Sequence, residues 1–113
     1  MRDDRLRLQD ILEAMRQIEK YSARGRRAFD EDELIQVWVL HHLEIVGEAC
    51  RGLSQAFLDS HPDPVWADAI GFRNVLAHQY FGLDYDAIWA VVETDLPSLK
   101  EKVSKILTML EKP

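Results

Sequence analysis

The chain has 113 residues, 47% hydrophobic and 30% charged, a balance that fits a folded globular protein and excludes disordered and collagen-like classes. Its length is that of one domain spanning 1–113, because two would each lack an adequate core. A net charge of −6 and an isoelectric point near 5.1 oppose general nucleic-acid affinity, which depends on neutralising phosphates, so any such contact must be local.

The first residues, MRDDRLRLQD, alternate charge with leucine and lack the apolar stretch of a signal peptide. No later run is long enough to span a bilayer, so a cytoplasmic protein with no membrane contact is expected. Leu8, Ile11, Leu12, Met15, Ile18 and Ser22 recur at steps of three and four, which predicts a first helix over residues 4–23. SARGRRAF then reads as a loop carrying the one basic cluster, Arg24, Arg26 and Arg27, able to meet phosphate or an acidic partner.

Asp30 or Asp32 is a credible cap for a second helix. Its stripe runs through Leu34, Trp38, His42, Ile45, Ala49, Leu53 and Ala56, predicting about 28 helical residues, or about 40 Å, before Pro62 and Pro64. A second face carries Val37, Leu40, Glu44, Gly47 and Arg51. A helix apolar on two sides is expected to pack on a partner subunit as well as on its own core. Cys50, the only cysteine, rules out an internal disulfide and a cysteine-based zinc site. In GEACRG it reads as a small packed residue.

Pro64 suits the first turn of a third helix reaching about His78, with Trp66, Ala69, Ile70, Arg73, Leu76 and Ala77 on one stripe. FGLD supplies a glycine stop and an aspartate cap. The final helix starts near Tyr85 and carries Ile88, Trp89, Val92, Leu96, Leu99, Val103, Ile106, Leu107 and Leu110. Pro97 should kink it or divide it in two. Four amphipathic helices on short loops, without strand alternation, predict an all-α antiparallel four-helix bundle.

GFRNVLAHQYF places a charged arginine on the core-facing stripe of an apolar helix, followed by Asn74, His78 and Tyr80. On an ideal helix Arg73 and Tyr80 project about 20° apart and Asn74 and His78 about 40° apart, while Arg73 and His78 are about 140° apart. The last two converge only if the helix ends or distorts near His78, or if the arginine reaches around. A histidine exchanges protons near neutrality and an arginine holds phosphate bidentately. Those are two requirements of metal-free RNA cleavage by the 2′-hydroxyl; a structural arginine capping carbonyls would look the same.

The order of these features resembles the HepT family of the HEPN superfamily. HLEIVGEACRGLS looks like its second-helix signature, PVWADAIGFRNVLAHQYFGLDYDAIW like its catalytic segment and ETDLPSLKEKV like its closing helix. The resemblance implies a homodimer in which segments from two subunits meet as a metal-independent endoribonuclease, the toxin of a toxin–antitoxin pair. It implies a small nucleotidyltransferase antitoxin, which silences the toxin by adding AMP to the signature tyrosine. By this likeness Arg73 would hold the scissile phosphate, His78 would be the acid or base, and Tyr80 the modified hydroxyl. Asn74 matches the polar residue often following the arginine. Glu48, in the matching GEA segment, would orient Arg73 or His78, or pair ionically at the dimer interface. RNA rather than DNA is the expected substrate.

Other chemistries fit less well. His41 and Glu44 present a His-x-x-Glu order once, where a di-metal bundle needs Glu-x-x-His on two helices, so no metal is expected. His41 and His42 read as core or interface histidines and His61 as a loop residue. Met15, Trp38, Trp66 and Trp89 read as core, and no glycine-rich phosphate loop is present, so no cofactor is expected. The competing functional readings are a non-catalytic adaptor that positions a nucleotidyltransferase, with Arg73 structural, and a plain structural bundle.

Overall fold

A computed structural model of the chain describes residues 3–77 and 84–111, with the backbone alone for 73–77. Helix α1 (Asp4–Ser22) starts where the Asp3 carboxylate accepts the Leu6 amide at 2.9 Å, closing one of the amides that a helix start leaves open. Leu8, Ile11, Ala14, Met15 and Ile18 form its buried stripe, close to the periodicity expected.

The segment expected to be a loop instead forms a short helix, α2 (Arg26–Glu31). Gly25 enters it at φ 94°, a left-handed backbone that favours glycine. Pairs at i and i+4 then close its one turn, Arg26 with Asp30 at 2.9 Å and Arg27 with Glu31 at 3.1 Å. Phe29, fully buried, packs at 5.7 Å from the Tyr85 ring and 5.4 Å from Trp89, and this anchors the turn.

Helix α3 (Glu33–Arg51) begins at Asp32, whose carboxylate accepts the Leu34 amide at 2.9 Å. It ends at Arg51, so the single run of about 28 residues is corrected. Ser54 starts a separate helix, α4 (Gln55–Ser60), by accepting the Phe57 amide at 3.0 Å. Asp4 fastens that break, accepting from the Ser54 amide at 2.8 Å and hydroxyl at 2.6 Å. The expected α3 stripe was also rotated. Leu34 is 80% exposed, and the buried arc is Ile35, Gln36, Val39, His42, Leu43, Val46, Gly47, Ala49 and Cys50. That arc is wide because α3 packs on α1 along one side and α5 along the other.

Helix α5 (Pro64–Ala77) has proline as its first residue, where the missing amide costs no helical bond. Trp66, Ala69 and Phe72 face the core, whereas Ile70, placed on the core stripe from the sequence, is 38% exposed. Asp84 caps α6 (Tyr85–Ala90) through the Ala87 amide at 3.0 Å. A π turn, Val91–Asp95, joins it to α7 (Leu96–Glu111). The expected division ahead of Pro97 is therefore a wide turn in which the Leu96 amide donates to Val91, five residues back.

The four spans α1, α3, α5 and α6–α7 make an all-α antiparallel bundle. Trp38 Nε1 donates to the Gln17 carbonyl at 2.7 Å near one end of the α1–α3 pair, and Asp4 holds Ser54 at the other. The α5 span runs back along α3 to the end where Tyr85 donates to Gln36 Oε1 at 3.0 Å. One continuous apolar cluster joins all four spans. Among the described residues, no helix is long and apolar enough to cross a membrane.

Candidate active site

The residues read as catalytic belong to the stretch that begins in the second half of α5. The backbones of Arg73 and Asn74 lie within that helix. Their side chains, and His78 and Tyr80 altogether, lie outside what the structure describes. The anchor of this stretch is the crossing of α3 and α5. Gly47 is buried there, and a Cβ on it would stand 3.2 Å from the Ala69 carbonyl oxygen, so a side chain here would need the two backbones to shift by a few tenths of an ångström. In antiparallel helices, one turn onward in α5 corresponds to one turn back in α3. The Arg73 backbone is therefore level with Leu43 and Glu44, a turn away from Gly47 and Glu48.

Glu48 is exposed on α3, beside a surface groove of about 380 Å³ lined by Arg7, Asp10, His41, Glu44, Ile45 and Glu48. Three carboxylates against one arginine and one histidine make this groove unsuited to phosphate and suited to a cationic side chain. Arg7 Nε is buried in its wall with no hydrogen-bond partner among the described residues. Of these residues the family resemblance points to Glu48. Glu44 and His41 share its face at helical spacing, a signal readable from the periodicity.

His42 is buried, and its Nδ1–H donates to the Trp38 carbonyl at 2.8 Å while the two rings pack at 4.5 Å. His61 caps α4, stacked on Phe57 at 4.5 Å. Cys50 is buried as expected, which pushes its thiol up to about 12 and makes it a poor nucleophile. Among the described residues, no group of three or more His, Cys, Asp or Glu is placed to hold a metal ion.

The basic cluster divides into three roles. Arg26 ties α2 to α6, reaching Asp86 at 2.6 Å as well as Asp30, and these carboxylates raise its pKa further. Arg27 pairs with Glu31 on the surface. Arg24 lies with its guanidinium 5.1 Å over the Tyr21 ring and meets no carboxylate among the described residues.

Comparison with known proteins places this geometry. The model of the family described as "Ribonuclease HepT-like" matches residues 11–106. The chain is 35% identical over 103 residues to "Putative RNase MJ1380" of Methanocaldococcus jannaschii, covering 90% of this chain and 94% of that protein. It is 36% identical over 102 residues to "Probable ribonuclease HepT" of Thermococcus cleftensis, covering 88% and 91%. It also matches 98% of its own length, at 33% identity, to half of "Gamma-glutamylcyclotransferase and putative RNase MJ0434" of M. jannaschii. No solved structure gives a significant match. With the family model spanning both the Gly47 crossing and the segment from Arg73 to Tyr80, the chain belongs to the ribonuclease HepT-like family.

Proposed function

We propose that this chain is a single-domain, metal-independent endoribonuclease, the toxin of a toxin–antitoxin pair, working as a homodimer in the cytoplasm. What supports the reading is the family match over residues 11–106, which contains the whole arginine–histidine–tyrosine signature. Arg73 holds the scissile phosphate and offsets the charge that develops on it. The 2′-hydroxyl attacks the adjacent phosphorus and gives its proton to a base. The 5′-oxygen leaves with a proton from an acid, and a 2′,3′-cyclic phosphate remains.

Two His78 side chains brought together by the dimer supply one base and one acid, so the reaction needs no metal. Asn74 and Glu48 position this pair. Tyr80 accepts AMP from ATP held by a small nucleotidyltransferase antitoxin, its hydroxyl bonding the α-phosphorus as pyrophosphate leaves and its proton passes to a base. The added phosphate competes with RNA for Arg73 and silences the site.

The test is cleavage of a bulk RNA in excess EDTA, with circular dichroism alongside. His78→Ala is expected to lower the rate about a hundredfold or more, and Arg73→Ala by a similar or larger factor, with the helical signal unchanged. Parental activity abolished by EDTA, or a folded His78→Ala as fast as the parent, overturns the reading. Co-expression with the antitoxin should add the mass of AMP to the parent and not to Tyr80→Phe; the same gain on Tyr80→Phe removes the tyrosine assignment.

A further inference from the structure

We infer that the recess between the end of α1 and the start of α3 is a second RNA subsite, taking one unpaired nucleotide away from the scissile bond. The proposal rests on the ribonuclease reading above and names where else that enzyme grips its substrate. The recess holds about 250 Å³ and is lined by Tyr21, Arg24, Asp32, Leu34, Ile35 and Trp38.

Its chemistry is that of a nucleotide site. Tyr21 and Trp38 stand edge to face at 5.4 Å and both are half-buried, so part of each ring reaches solvent, with Arg24 at 5.1 Å and Lys20 at 5.7 Å over Tyr21 and His42 packed on Trp38. Unpaired bases stack on such rings because every base offers a π face. Arg24 at the rim packs over Tyr21 and has no carboxylate partner among the described residues, so its charge is available to a phosphate. Asp32 spends Oδ1 on the Leu34 amide, which leaves Oδ2 to accept an N–H of the base or a ribose hydroxyl.

Position favours RNA over a protein occupant. The chain carries a net charge of −6, yet the member of its basic cluster that meets no carboxylate among the described residues, Arg24, lines this recess. Gln36, in the first turn of α3 beside Ile35, holds the Tyr85 hydroxyl at 3.0 Å at the start of α6. The recess, the end of α5 and the start of α6 thus share one end of the bundle. The Arg73 backbone lies about one turn from that end of α5, so a strand held by Arg73 has neighbouring nucleotides within reach of it.

Trp66 and Trp89 are buried, at 4% and 8% exposure, so Trp38 is the tryptophan that a bound base can reach. The experiment titrates the full-length protein with a 2′-O-methyl hexaribonucleotide, which lacks the attacking hydroxyl, and follows tryptophan fluorescence. Quenching is expected in the parent, with affinity about tenfold lower in Arg24→Glu and in Tyr21→Leu. In Arg24→Ala the slope of log affinity against log salt should fall by about 0.7, the value of one lost single-strand phosphate contact. On cleavable RNA these variants should raise KM about tenfold and leave kcat within about twofold, because the subsite lies outside the reacting bond.

Cleavage that persists with unchanged KM and unchanged quenching in the variants overturns the subsite and leaves the ribonuclease reading standing. Quenching lost in the variants of a protein that never cleaves RNA supports the subsite and removes the enzyme. If Arg24→Glu instead halves the mass in light scattering without changing oligonucleotide affinity, the recess is a protein contact and the proposal is wrong. Arg24 is exposed, so a folding defect is not expected, and thermal melts of Arg24→Ala check this.

Discussion

Asp63 shows how one side chain can serve two elements. Its carboxylate accepts the Val65 amide at 2.9 Å, opening α5, and the Lys102 ammonium of α7 at 2.9 Å. The hydrogen bond from Lys102 is the larger cause, and the Val65 amide the second, of a pKa held below the usual 3.8. A carboxylate depressed in the folded state adds stability that is complete above its ordinary pKa and is lost as pH falls through the lowered value. Asn can keep the capping acceptor and lose only the charge, so Asp63→Asn isolates the ionic part. We expect it to lower the melting temperature by roughly one or two degrees at pH 7. The difference should close in acid below the carboxylate range and shrink in high salt. A deficit independent of pH would assign the role to the cap alone. At this scale the caps Asp32, Ser54 and Asp84 were open to reading, since aspartate or serine ahead of an apolar run has one local use. The proposed roles of Glu48 and Arg73 would depend on residues of other helices, which a single stripe does not encode.

Helix boundaries were legible where local chemistry decides them and misread where periodicity was allowed to override it. The 3.6-residue pattern runs through Gly52 without a break, and it predicted one long helix. The break is written instead in Gly52 followed by Ser54, a stop and a new cap. The same holds for α2, whose glycine at φ 94° and two i,i+4 ion pairs are visible in GRRAFDE. The rotation of α3 was not legible, because its buried arc is set by two neighbouring helices and Leu34 looks as apolar as Ile35. The Gly47 crossing gives the element-scale prediction. Gly47→Val adds three carbons where one already meets a backbone oxygen at 3.2 Å, so α3 and α5 must separate. A cost of about 1–3 kcal/mol is expected, read as a lower urea midpoint at unchanged m value. Cleavage should fall with it under conditions where the variant remains folded, because α5 carries the Arg73 backbone. A variant with parental stability would mean that the crossing is not close-packed.

At the scale of the whole molecule, the fold class and the four spans were legible because each span has to bury its own stripe. The proposed homodimer draws on what remains outside. Val37 on α3 is 57% exposed and Ile70 on α5 is 38% exposed, although the bundle core is complete without them. Apolar side chains left on the two helices that cross at Gly47 fit an isologous contact with a second copy of this chain. Such a contact would bring two copies of the segment following α5 together, which is what a two-histidine reaction requires. Light scattering at micromolar concentration should therefore give twice the 13.1 kDa of one chain. Val37→Glu combined with Ile70→Glu should bring the mass to 13.1 kDa by placing like charges in the contact. Cleavage should disappear with the dimer while circular dichroism keeps its helical form. A double variant that is monomeric and still cleaves RNA would show that each subunit carries a complete site, and the pairing of two His78 side chains would have to be given up.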